Sequence, residues 1–160
     1  MGTPDFIQDI RATAGHQLLL LPGVSAIVFD DDGRVLLGRR ADTGNWSIIG
    51  GIPEPGEQPA LTAEREVYEE TAVRCTAERV VLVQALPEPI TYPNGDQCQY
   101  MDITMRCRAT GGEARVNDEE SLEVAWFPVD ALPELGELAK FRIKQALADE
   151  PTWFDPGAGV

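Results

Sequence analysis

Short apolar runs separated by polar turns organise the chain, and the spacing within each run predicts the element it forms. Thr3 and Pro4 predict an N-cap and first helical residue. Phe6, Ile7 and Ile10 then share one side of a helix over about residues 4–14 that stops at Gly15. Residues 24–29 and 34–38 are apolar runs around the turn Asp30-Asp31-Asp32-Gly33, the pattern of a β-hairpin that leaves Arg39 and Arg40 just beyond a strand. Between Pro59 and Thr71, Ala60, Ala63 and Val67 recur at helical spacing beside Leu61 and Tyr68, with no glycine to interrupt them.

Further on, residues 80–86 predict an apolar strand. Residues 100–109 alternate, with Met101, Ile103, Met105 and Cys107 on one face and Asp102, Thr104 and Arg106 on a polar one. A polar, acidic loop over 111–121 leads to a short strand at 122–127 and a closing amphipathic helix at 135–147 that packs through Phe141, Ile143 and Leu147. The tail from about residue 151 is expected to be loose. Strands and helices alternate irregularly, which fits a mixed sheet covered by helices better than a regular doubly wound sheet. Residues 1–160 are expected to form one domain, since 160 residues that are 43% hydrophobic can build a sizeable core and no repeat or low-complexity linker divides them.

Charge narrows the range of partners. Lys and Arg total 13 against 27 Asp and Glu, a net charge of -14, which opposes binding to nucleic-acid polymers and to anionic membrane surfaces. No apolar run is long enough to span a bilayer. The cysteines, Cys75, Cys98 and Cys107, form no C-x-x-C pair and do not cluster with His16, so they read as reduced thiols. With no N-terminal signal segment in view, a cytoplasmic location is expected.

The chemistry concentrates in Gly50-Gly51-Ile52-Pro53-Glu54-Pro55-Gly56-Glu57 and the helix after it, which ends in Arg65-Glu66-Val67-Tyr68-Glu69-Glu70. Glu66, Glu69 and Glu70 stand at i, i+3 and i+4, so three carboxylates share one helical face. Like charges so spaced destabilise an isolated helix by roughly 0.2–0.5 kcal/mol per pair, and anions near a helix C-terminus oppose its dipole. A solvated acidic face on an acidic protein is one reading. A carboxylate site for Mg²⁺, with Mn²⁺ as substitute, is the other, and the glycine-rich turn before the helix favours it by exposing backbone groups to a metal or a phosphate.

In this segment the chain resembles the Nudix hydrolase family, MutT-like proteins included. That family's signature runs Gly, five residues, Glu, seven residues, then Arg-Glu-aliphatic-x-Glu-Glu-x-Gly-aliphatic, and Gly51, Glu57, Arg65, Glu66, Val67, Glu69, Glu70 and Val73 fall in register. Two positions depart: Ala72 replaces the signature glycine, and Ile49 stands where proline often precedes the glycines. Alanine in a left-handed cap costs about 1 kcal/mol.

The resemblance implies an α/β fold, a Nudix-type α/β/α sandwich around a mixed sheet. It implies metal ligands at Glu66, Glu69, Glu70 and the Gly51 carbonyl, with Glu57 supporting Arg65 in an ion pair. The implied reaction is hydrolysis of a phosphoanhydride bond in a nucleotide-like small molecule. Glu66, Glu69 and Arg65 carry the chemistry, and the base comes from Glu66 or from Glu120 in the acidic 118–120 loop. Arg40, Gly50 and Gly51 are candidate substrate contacts, and Trp46, Tyr92 and Tyr100 are candidate stacking surfaces for a base. His16 reads as structural or exposed. A non-catalytic nucleotide sensor of the same fold is the alternative. The N-terminal helix offers either a homodimer contact or packing on its own domain.

Overall fold

A computed structural model of the chain describes residues 4–157. The first helix, α1 (Asp5–Ala14), leads into β1 (Leu19–Phe29), β2 (Val35–Arg40), and two short strands, β3 (Trp46–Ser47) and β4 (Ile49–Gly51). The second helix, α2 (Pro59–Thr71), precedes β5 (Arg74–Ala85), β6 (Ile90–Thr91), β7 (Gln97–Gly111) and β8 (Ser121–Phe127). The last elements are α3 (Glu137–Leu147) and β9 (Trp153–Phe154). The strands form a nine-stranded sheet in the order β3-β2-β1-β7-β5-β9, with β4 added to β1, β6 to β7 and β8 to β2. Parallel β1–β7 and antiparallel β5–β7 pairs make it mixed.

Helices cover both faces. Val24, Ala26 and Val28 of β1 face α2 and pack with Ala63 and Val67, whereas Ile27 and Phe29 face α3 and pack with Ile143 and Ala146. Residues 24–29 are therefore buried on both sides, which is why they read as an unbroken apolar run rather than an alternating one. The helix expected over 59–71 has those bounds.

Several expectations change. The 30–33 turn closes only a short hairpin: β1 and β2 pair at Phe29 and Val35, and β2 spends most of its edge on β8. Strand β2 continues through Arg39 and Arg40, so both are strand residues. Pro4 occupies the N-cap of α1 rather than its first turn, and the expected cap Thr3 lies outside the described residues. Ile7 is buried against Leu21 and Cys98 of its own sheet, while Ile10 and Leu147 stay exposed. The tail expected to be loose from residue 151 instead adds β9 to the sheet edge, where Trp153 packs edge-on against Phe141 with centroids 5.1 Å apart.

The polar face of β7 is not solvated. Asp102 and Thr104 are buried, and Arg142 of α3 reaches them. Arg142 Nη2 lies 2.9 Å from Asp102 Oδ2, and Nη1 donates to Ser25 Oγ at 3.1 Å. Ser25 and Thr104 hydroxyls in turn donate to the Asp102 carboxylate at 2.9 and 2.8 Å. Truncating one partner of such a pair leaves the other charge buried and uncompensated, which costs about 3–5 kcal/mol. Asp102→Ala is therefore expected to lower stability to urea by about that amount, and Asp102→Ala with Arg142→Met to recover much of it.

Candidate active site

The carboxylate helix is organised by Arg65. Its Nε and Nη2 donate to the two oxygens of Glu57 at 2.8 and 2.9 Å, a bidentate pair. Nη1 donates to Glu66 Oε1 at 2.7 Å and to Glu69 Oε2 at 3.1 Å. Nη2 also reaches the Ile52 carbonyl, at 3.3 Å. Glu57 Oε2 further accepts the Thr62 hydroxyl and the Glu54 amide, at 2.9 and 3.0 Å. The loop between β4 and α2 is thus tied to the helix through one carboxylate.

These donors, the Arg65 guanidinium foremost, hold the Glu57 carboxyl down to about 2. Burial acts oppositely on two neighbours. Glu66, fully buried, is pushed up to about 7 by desolvation against the pull of Arg65. Glu70 is pushed up to about 8, again by desolvation first and then by the charges of Glu66 and Asp118, with a Gly50 backbone hydrogen bond opposing. Glu66 Oε2 is buried without a hydrogen-bond partner.

Gly50 fits its place because nothing larger does. A Cβ there would stand 2.6 Å from the Val24 carbonyl oxygen and 3.1 Å from Ser25 Cα, so β4 lies directly on β1. Ala72 closes α2 at φ 58°, the one non-glycine residue at positive φ among those described. Its amide donates to Tyr68 O at 2.9 Å, so alanine adopts the left-handed cap expected of glycine.

The structure divides the expected residues between two cavities, and Glu57, Glu66 and Glu70 line neither. A cavity of about 840 Å³ is lined by Arg65, Glu69, Tyr68 and the loop residues Asp118, Glu119 and Glu120. Gly50, Gly51, Arg40, Tyr92 and Tyr100 line a second cavity of about 530 Å³. Glu120 lines both. Arg40, expected as a phosphate contact, is engaged by Asp42, its Nε donating to Oδ1 at 2.9 Å. Trp46 packs edge-on against Phe127 at 4.8 Å and belongs to the core beside α3. His16 Nδ1 lies 2.8 Å from Asp96 Oδ1, with its ring exposed. Sequence reasoning missed Ser25 and Arg142 as lining residues; the alternation of β7 marked Asp102 as polar, but nothing local marked it as buried.

Among the described residues, no three Asp, Glu, His or Cys side chains converge as they stand to hold a cation, and Arg65 occupies Glu66 and Glu69. The donors nonetheless fit a hard divalent ion: they are carboxylate oxygens, one is buried and unpartnered, and two carboxyls are raised by burial that a cation would offset.

A mixed sheet between helices, with a braced carboxylate helix beside a polar cavity, defines an α/β protein with an acidic candidate site. The chain belongs to the Nudix family of pyrophosphohydrolases, since residues 19–147 match the NUDIX domain. It is 34% identical over 125 residues to a MutT-like protein of Streptomyces ambofaciens, covering 78% of this chain and 75% of that one. It is 30% identical over 129 residues to a CMP-5'-(N-acetyl-N-hydroxy-3-aminopropyl)phosphonate hydrolase of Streptomyces rubellomurinus, covering 77% of this chain and 59% of that one. For several curated relatives the chain spans less than half of their length. A solved ADP-ribose pyrophosphatase of Streptococcus suis superposes with a TM-score of 0.59 at 26% identity, covering 79% of this chain and 87% of that one.

The Glu57 brace yields a pH prediction. Its carboxyl lies lower in the folded protein than its ordinary 4.5, so the stability it contributes is present above pH 4.5 and lost as pH falls towards 2. Glu57→Gln is expected to lower stability at pH 7 by about 2–3 kcal/mol and to flatten the fall between pH 4.5 and 2. Urea unfolding at pH 7, 5 and 3 reads both effects. Gly50→Ala is expected to lose about 1–3 kcal/mol from overpacking against β1, read by the same unfolding at pH 7.

Proposed function

We propose that the chain cleaves a phosphoanhydride bond in a nucleoside diphosphate linked to another moiety, and that it needs a divalent cation to do so. The observation that carries this reading is the pair of glutamates on one face of α2, Glu66 fully buried and Glu70 half-buried, whose carboxyls are pushed towards protonation by desolvation first and by neighbouring carboxylates second. A structural helix gains nothing from that arrangement. A helix that meets a cation does, because the ion replaces the water that each carboxylate gave up.

The Gly51 carbonyl with Glu66, Glu69 and Glu70 would hold Mg²⁺, with Mn²⁺ as substitute. When bound, the cation offsets diphosphate charge and makes water more acidic. The protein's own groups do the rest. Arg65 positions Glu66 and Glu69 from the side, and Glu57 fixes Arg65. Glu66 takes the proton of the attacking water as its oxygen bonds to phosphorus and the bridging P–O bond breaks; Glu120, at the junction of the two cavities, is the second candidate base. Gly50 and Gly51 border the diphosphate, and Arg40 meets it once released from Asp42.

The relatives support a nucleotide-linked substrate: one is a hydrolase of a CMP-linked phosphonate and another an ADP-ribose pyrophosphatase. The test is product release from a panel of nucleoside triphosphates, nucleotide sugars, dinucleoside polyphosphates and dinucleotides, with and without Mg²⁺, in wild type and Glu69→Gln. At least one compound is expected to be cleaved only with the metal, at a rate about 10²-fold or more lower in the variant. Binding that is equal in both proteins, with no cleavage of any compound, would instead identify a nucleotide sensor.

A further inference from the structure

The second cavity adjoins the carboxylate-lined one, since Pro4 and Glu120 line both. Its about 530 Å³ falls in the range of roughly 300–1,000 Å³ typical of pockets that bury small organic ligands. The lining is divided. Ile7, Leu21, Ile52, Tyr92 and Tyr100 supply apolar and aromatic walls, and Ser25, Asp102 and Arg142 gather as a polar floor.

That floor has unused hydrogen-bonding capacity. Arg142 is more than nine-tenths buried; its Nη2 meets the Asp102 carboxylate as an ion pair at 2.9 Å, and its Nε has no hydrogen-bond partner. A buried donor is seldom left so, and an acceptor on a ligand would satisfy it. Asp102 Oδ1 accepts the Ser25 hydroxyl and retains a lone pair. Gly23 keeps the floor open: a Cβ there would stand 3.3 Å from Asp102 Oδ1 and 3.5 Å from Tyr100 Cδ1.

One wall comes from outside the family match. Helix α1 precedes residue 19, where that match begins, yet Ile7 is 2% exposed and forms part of the cavity. Arg11 fastens the helix in place, donating from Nη1 to the Gly15 carbonyl at 2.9 Å and from Nη2 to the Gln97 carbonyl at 2.7 Å.

We propose that α1 is a specificity element: Ile7, facing the floor of Asp102 and Arg142, completes a slot for a nucleobase whose edge gives an N–H to Asp102 and an acceptor to Arg142. The proposal rests on the hydrolase reading for the placement of the diphosphate at the adjoining carboxylates. It assigns base selection to a helix added to the shared domain and to a buried ion pair that otherwise looks purely structural.

Binding of nucleoside monophosphates tests the slot without requiring cleavage. The probes are AMP, GMP, UMP and purine riboside monophosphate, whose six-membered ring edge lacks an N–H donor, titrated calorimetrically into wild type, Gly23→Ala and Ile7→Val. AMP is expected to bind at least about tenfold tighter than purine riboside monophosphate, because a site built to bond a donor rejects the analogue without one. Gly23→Ala, which places a methyl over the floor, is expected to erase that ratio. Ile7→Val, which widens the slot by one methylene, is expected to shift the purine-to-pyrimidine ratio by about threefold or more, a change that a general loss of stability would not produce.

Equal binding of AMP and purine riboside monophosphate, or unchanged ratios in Gly23→Ala, would overturn the floor assignment. Unchanged ratios in Ile7→Val would overturn the role of α1. Selective binding of monophosphates by a protein that cleaves no diphosphate would sustain the slot and refute the hydrolase; cleavage without base selection would do the reverse.

Discussion

One guanidinium holds the candidate site together. Arg65 sits among Glu57, Glu66 and Glu69, and each of its three nitrogens donates to at least one of them. The three carboxylates would otherwise repel across a helical face and a short loop. The spacing of the signature follows from this geometry. Glu57 must precede the helix closely enough to bond the Arg65 side chain, and Glu66 and Glu69 must follow at one and four residues to reach the same group. Two opposed environments result around one side chain: the loop carboxyl of Glu57 at about 2, and the buried one of Glu66 at about 7, whose second oxygen has no partner. On the proposed reading, separating neighbouring carboxyls in this way gives them different tasks, one fastening and one reacting.

The sheet carries the site by letting its two faces do different work. Strand β1 is buried on both sides, so its α2 face can pack the carboxylate helix while its other face, through Gly23 and Ser25, forms a cavity floor. At β4, Gly50 lies against β1 and bonds Glu70, so a wall of the second cavity is tied to the carboxylate helix there. Side-chain bulk at that point would separate the strands.

What the sequence made legible was local. Helix α2 and its carboxylate face follow from spacing, and the Glu57–Arg65 pair from the family resemblance; each has its expected position. Features set by distant partners were not legible. Arg40 is the local exception: it stays half exposed and pairs with Asp42 only two residues on. Trp153 and Phe154 looked like an untethered tail because their partners, Leu82 and Val83, lie some seventy residues away. Asp102 read as part of an ordinary polar face, nothing local singled out Arg142, and only the packing of α3 on β7 turns them into a buried pair. Periodicity reports that a face is polar; it does not report what covers it.

The acidic composition sharpens what the site must do with an anionic substrate. A net charge of -14 repels a diphosphate at long range, although screening confines that effect to roughly 10 Å at ordinary salt. Within that range the protein's own cations are committed. Each of the four arginines that line the two cavities already faces a carboxylate: Arg65 meets Glu57, Arg40 meets Asp42, Arg142 meets Asp102 and Arg11 meets Asp96. These pairs fix the shape of the cavities but leave little positive charge for phosphate. On the proposed reading, the compensating charge arrives as a divalent ion, and the surplus of carboxylates on α2 follows from the same requirement. A site that paired its substrate's charge with arginine would not need Glu66 and Glu70 on one face of α2, the first fully buried and the second half-buried.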